Sequence, residues 1–369
     1  MSSPDTKIDS STAEATPFGT VEGSTPNALL DAEKVESVPP DDDFLRYVCA
    51  DLTIQEEEED PQDAMIDTAA AFAVVAVNDQ LWDGLPQSLT YAFVPGKFSG
   101  NAIQHAKFAK YCSEWERYAN VKFEHITDVD EALIRITFNP NEGSYSYIGK
   151  DCLKAKKTDE RGRYLPTLNL GEVDGTQPRC TAREGGTILH ECGHVLGLLH
   201  EHQNPACGGA SAQNTEKVYF DYERRGWSRD RIEKQILKAI NVKDTSNFST
   251  VDRTSIMHYP SPKSLTGLPY DIPYNTKLSN LDKAYMVINY PRPKPHDEAP
   301  EWSLEHALTV AGVPTEVKQK MLELAEMCRE SETGEIDPQD LRMAFSEHIK
   351  DARSKELEAQ NNKAPVHTV

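Results

Sequence analysis

The chain has 369 residues, 38% of them apolar, and carries 60 acidic against 39 basic side chains for a formal charge of −21. The length suits one large catalytic domain with flanking segments, and the modest apolar share predicts that part of the chain stays outside any core. The acidic excess excludes nucleic acid and anionic membrane as main partners, and the longest apolar run, Ala69–Val77, is too short to span a bilayer.

Residues 1–60 hold 16 acidic and 3 basic side chains among many Ser, Thr and Pro, and end in the Glu56–Asp60 run. That composition predicts a disordered acidic leader. Met1–Thr20 holds no apolar h-region, so the chain as written carries no secretory signal and is expected in the cytoplasm. From residue 73 the texture changes. Leu89–Val94 reads as a strand, and Asn101–Ala119 as an amphipathic helix with Ile103, Phe108, Tyr111 and Trp115 at helical spacing. Val121–Ile126, Ala132–Phe138 and Leu165–Leu170 read as further strands. A second helix is expected over Thr181–Leu199, opened by a Thr181–Glu184 capping box, with Gly185 and Gly186 weakening its first turn. Beyond Glu201 the pattern loosens into loops, broken by helices at Arg229–Ile240 and Asn280–Asn289. Pro291, Pro293 and Pro295 then mark a boundary. The expected organisation is therefore a leader or prosegment over 1–72, a catalytic domain over 73–293 and a charged helical tail over 294–369 that is a candidate for docking a protein partner.

The strongest signal is HECGHVLGLLH, His190–His200. Histidines at i and i+4 project from one helix face and can share an ion. Glu191 stands beside the first of them and can reach a water without ligating the metal. His200 cannot come from the same straight face, so the helix has to stop and turn, which Gly197 permits. His190, His194 and His200 are thus candidate ligands of one Zn2+, and Glu191 the candidate base. Leu189, Cys192, Leu196 and Leu199 form the stripe that seats the helix, and Cys192 reads as packing rather than redox chemistry. His202 and His258 read as neighbours of the ligands rather than ligands.

Downstream, Ser255–Pro260 reads SIMHYP, and the helix motif continues into Glu201. With these two features the chain resembles the astacin-type zinc metallopeptidases, which are metzincins. LWDGLPQSLTYAFV, SYSYIG (144–149) and LSNLDKAYMVINY (278–290) extend the resemblance over roughly residues 73–293. It implies an α+β, two-lobed domain, with a twisted sheet and two long helices over a cleft and an irregular lobe below. It also implies Met257 beneath the metal and Tyr259 as a further, weaker zinc ligand that swings away to donate to the oxyanion. The implied activity is zinc-dependent hydrolysis of peptide bonds in proteins or peptides.

The family is usually secreted with two disulfides. Here Cys180 lies where one bridge's second cysteine falls, and Cys152 is its displaced candidate partner. The seven cysteines are odd in number and lack a CxxC pair, which argues against a disulfide-dense module. In the family a buried amino terminus meets the glutamate matching Glu201, which makes the leader a prosegment, with Cys49 and Asp51 the candidates for a switch residue. Two other readings compete: a catalytically silent zinc scaffold, which the presence of Glu191 opposes, and a hydrolase of some non-peptide amide. The Asn247–Ser249 sequon and the degenerate calcium-loop pattern in Arg329–Asp340 are set aside.

Overall fold

Burial alternates along Ser144–Tyr147, while Ile134–Thr137 and Leu168–Leu170 are buried at every position, as suits strands inside a sheet. In chain order the strands are β1 (Ala50–Leu52), β2 (Val75–Ala76), β3 (Gln87–Phe93), β4 (Val121–His125), β5 (Ile134–Thr137), β6 (Ser144–Tyr147), β7 (Leu168–Leu170) and β8 (Thr245–Asn247). The helices are α1 (Ala102–Cys112), α2 (Asp151–Lys154), α3 (Ala182–Val195), α4 (Thr215–Glu223), α5 (Arg229–Ile232), α6 (Lys263–Thr266), α7 (Asn280–Asn289), α8 (Leu304–Val310) and α9 (Thr315–Arg329). The structure is a computed structural model. It describes residues 80–83, 87–204, 215–224, 226–237, 251–266, 268–329 and 342, with the backbone of 50–52, 75–76 and 245–247. The rest of the leader including Cys49, residues Phe248 and Ser249 of the sequon and the loop 330–340 lie outside these residues.

Six strands form one sheet in the order β1-β6-β7-β5-β3-β4. β3 pairs in parallel with β4 and β5, and β5 with β7, while β6 runs antiparallel to β7. Parallel neighbours need a crossover, and α1 supplies the one between β3 and β4. Leu89, Ile134, Ile136 and Leu168 from the sheet meet Phe108 and Trp115 in the main core, all fully buried. The helix expected over Asn101–Ala119 is broken. α1 ends at Cys112, and a 3-10 turn at Trp115–Arg117 swings the Trp115 indole to donate to the Leu189 carbonyl of α3 at 3.0 Å. The helix expected over Arg229–Ile240 is α5 and a π-helical stretch over Glu233–Leu237.

A second, smaller apolar cluster gathers Val218, Tyr222, Ile232, Ile236, Tyr259 and Leu265 from the irregular chain beyond α3. Met257 belongs to the first core and Tyr259 to the second, so the SIMHYP segment is where the two meet. The fold is α+β. Chain beyond Pro293 also enters the main core, through Ala299, Trp302, Leu304, Ala307, Leu308, Met321 and Ala325. Trp302 meets Tyr118 edge-on at 5.6 Å between ring centroids. No described helix is long and apolar enough to cross a membrane. The Cys152–Cys180 bridge implied by the resemblance is not formed. Both are free thiols, Cys152 sealed into the core and Cys180 at the approach to α3.

One buried ion pair ties α1 to α3. Lys107 Nζ donates to Glu184 Oε1 at 2.6 Å and to the Asp174 carbonyl at 2.8 Å, and both side chains are almost fully buried. Burial works against the Glu184 carboxylate. The Lys107 ammonium and the Thr181 and Asp174 amides outweigh it and hold the group below the usual carboxylate range. Lys107→Met should therefore cost about 3 kcal/mol by leaving that charge unmatched. Urea unfolding measures this, and a loss within error of zero would mean the backbone donors alone suffice.

Candidate metal centre

α3 begins as its sequence predicts. Thr181 Oγ1 accepts from the Glu184 amide at 3.2 Å, and Glu184 Oε2 accepts from the Thr181 amide at 2.7 Å. The two glycines that follow are contact points. A Cβ at 185 would meet the Tyr111 ring at 2.4 Å, and one at 186 the Tyr274 ring at 2.9 Å. At position 193 a Cβ would lie 2.5 Å from Met257 Sδ, so the glycine between His190 and His194 lets the methionine seat directly under the helix.

The helix ends in a Schellman closure. Leu198 N donates to Gly193 O at 2.9 Å and Gly197 N to His194 O at 2.8 Å, with Gly197 at φ +90°. This turn brings His200 back over the histidines of α3. Its last carbonyls also accept from distant donors. Gly149 N donates to His194 O at 2.8 Å, Trp82 Nε1 to Val195 O at 2.7 Å, and the Tyr290 hydroxyl to Leu196 O at 2.7 Å. Arg342 backs this arrangement. Its guanidinium donates to Trp82 O at 2.9 Å and to Asn289 O at 2.7 Å, and stacks on the Tyr290 ring.

The three candidate ligands converge. The Nε2 atoms of His190, His194 and His200 stand 3.1–3.2 Å apart in a closed triangle, and all three side chains are buried. His190 Nδ1 donates to Ile256 O at 2.7 Å and His194 Nδ1 to Leu198 O at 2.8 Å, so both present Nε2 lone pairs inward. Burial, reinforced by the nearby His190 and His258 rings, holds His200 well below the ordinary imidazole pKa, outweighing a hydrogen bond to Gln203 that acts the other way. Three nitrogens held at 2.0–2.1 Å by one tetrahedral zinc ion stand about 3.3–3.4 Å apart, so the triad fits that ion to within a few tenths of an ångström. Among the described residues this is the one cluster of His, Cys or carboxylate groups spaced for a metal.

The carbonyl that orients His190 is itself fixed by Asp282, which sequence reasoning missed. Asp282 accepts from Ser255 Oγ at 2.6 Å and from the Ile256 and Ser279 amides at 2.8 Å. Burial pushes its carboxyl up to about 6. The Ser279–Asp282 capping-box spacing at the start of α7 was the available signal.

Glu191 is buried and lines a cavity shared with His190, His258 and Tyr259. The Tyr259 ring packs at 4.1 Å from His200 and 4.5 Å from His202 between centroids. His202 and His258 are buried beside the triad, and His258 turns Nδ1 to the Tyr259 carbonyl at 2.7 Å. Glu201 is enclosed, accepting from Asn204 Nδ2 and the Asp252 amide at 2.9 Å each, and burial pushes it up to about 8.

No family model matches the sequence. Over 127 residues the chain is 28% identical to bone morphogenetic protein 1 of Xenopus laevis, covering 34% of this chain and 14% of that protein. Over 148 residues it is 28% identical to the zinc metalloproteinase nas-36 of Haemonchus contortus, covering 40% of this chain and 19% of that protein. The chain thus spans less than a fifth of the length of these relatives. Among solved structures it is similar to myroilysin, with a TM-score of 0.51, 28% identity, and 59% of this chain and 98% of that one covered.

The Asp282 link carries a measurable consequence. Asp282→Ala frees the Ile256 carbonyl that orients His190, and groups in this position typically contribute a factor of roughly 10–100 to metal affinity. Chelator competition on the folded variant should show zinc held more weakly by that factor, and unchanged affinity would mean that the Ile256 peptide is held by other contacts.

Proposed function

We propose that this chain, which belongs to the astacin-type zinc metallopeptidases, is an endopeptidase in which His190, His194 and His200 hold the zinc and Glu191 is the base. The observation that carries the reading is the closed triangle of imidazole nitrogens with Glu191 in the adjoining cavity. Bound there, zinc supplies Lewis-acid polarisation of the scissile carbonyl and lowers the pKa of a water.

The protein's own groups do the rest. Glu191 takes the proton of the attacking water and passes it to the leaving amine nitrogen, one carboxylate acting first as base and then as acid. Its position beside His190, buried and facing the same cavity, suits both transfers. Tyr259, packed against the His200 and His202 rings, donates its phenolic hydrogen to the oxyanion. The Asp282–Ile256–His190 chain holds the first imidazole in the tautomer that leaves Nε2 free. The substrate class is protein or peptide. The retained base disfavours the silent-scaffold alternative.

Residues 1–72 act as a prosegment in this reading. Ala50–Leu52 pairs in parallel along β6, with Ala50 opposite Tyr145 and Leu52 opposite Tyr147, and Ser144 of that strand lines the cavity. Ala50–Leu52 thus lies along the sheet edge formed by the strand whose Ser144 lines the cavity.

Two measurements test the proposal. Glu191→Gln should keep near-stoichiometric zinc and lose casein cleavage by about 10²–10⁴-fold, the range usual for a general base; undiminished cleavage would remove Glu191 from its role. A chain beginning at Ala73 should cleave casein faster than the full chain, and equal or lower rates at equal zinc content would dismiss the prosegment.

A further inference from the structure

The cavity beside the triad has two ends of different chemistry. One is His190, Glu191 and Tyr259; the other is Glu172, Thr187 and Tyr274. Thr187 stands three residues before His190 and four before Glu191 on α3, so all three side chains share the face turned to the cleft. Glu172 follows β7 by two residues and reaches the same space from the sheet.

Tyr274 and Thr187 are joined hydroxyl to hydroxyl at 2.8 Å, and Thr187 Oγ1 donates to Glu172 Oε2 at 3.4 Å. That long contact is the only hydrogen bond recorded on the carboxylate among the described residues, and none of their cations pairs with it. The Arg183 charge also acts on it, with its guanidinium over the Tyr274 ring at 5.6 Å. A half-buried carboxylate with one weak donor is under-compensated. Burial accordingly raises Glu172 to about 7, more than Arg183 and Thr187 lower it. A cationic side chain entering the cavity supplies the missing partner, a neutral one does not, and an acidic one adds repulsion. The chain's charge of −21 acts in the same sense by drawing basic segments toward the surface.

We propose that Glu172 is the specificity-determining residue of this cavity, and that the enzyme prefers to cut beside lysine or arginine, whose side chain enters the cavity and pairs with the Glu172 carboxylate. The proposal rests on the peptidase reading above and adds a substrate class to it.

The test compares peptides that differ only at the residue flanking the scissile bond, lysine against norleucine against glutamate, cleaved by the zinc-loaded full chain with sites read by mass spectrometry. The expected wild-type order of kcat/KM is lysine, then norleucine, then glutamate. Glu172→Gln should reduce the lysine-to-norleucine ratio by about 10–100-fold, the usual scale for losing one charge-assisted hydrogen bond, and Glu172→Lys should bring glutamate above lysine. Both ratios are internal to one preparation, so incomplete folding of a variant cancels. Wild type cutting lysine no better than norleucine, or Glu172→Gln retaining the wild-type ratio, would overturn the assignment and leave the peptidase intact. A wild-type chain that cuts none of the peptides would overturn both.

Discussion

Everything in this molecule is arranged around bringing three uncharged imidazole nitrogens to within about 3 Å of one another, a separation at which protonated rings would repel strongly. Burial holds His200 well below the usual imidazole range, and carbonyls fix which nitrogen of His190 and His194 carries the hydrogen. The helix alone could hold two of the three. The third needs the chain to reverse within a few residues, and the reversal exposes carbonyls that have to be satisfied. Donors from residues 82, 149 and 290 meet that demand. Segments far apart in the sequence thus serve one helix end.

What could be read from the sequence divides by distance along the chain. The triad, Glu191 and the turn at Gly197 lie within eleven residues, and the Thr181–Glu184 box within four, so local geometry determines them. Strand and helix cores were legible through periodicity, while α1 broke early because Trp115 follows a tertiary contact with Leu189 that no local pattern encodes. Gly185 and Gly186 read as weak points in a helix. They are where two aromatic rings press against it, a fact held by residues 111 and 274. Asp282 and Glu172 escaped notice for the same reason, because each acts on a segment 15 or more residues away. The Cys152–Cys180 pairing came from analogy alone, and the fold keeps the two thiols unlinked.

Four buried or half-buried carboxyls surround the centre, and their fates differ by what faces them. Glu184 has a lysine within hydrogen-bond reach and is held below its usual range, whereas Asp282, Glu201 and Glu172 accept only from neutral donors and are pushed up by burial, Glu172 despite the Arg183 charge. Asp282 and Glu201 have two or three good donors each and hold structure together. Glu172 has one poor donor and faces the open cleft, which is why it is the group of the four left for something arriving from outside.

Arg342 gives the arrangement a further property. It lies more than 140 residues beyond the triad in sequence, yet grips the backbone of Trp82 and the ring of Tyr290, the two residues that close the end of α3. Seating of this arginine therefore supports the two residues that close α3, the helix that carries two of the three imidazoles. A residue far along the chain is thus part of the frame on which the triad is held, despite their separation in sequence.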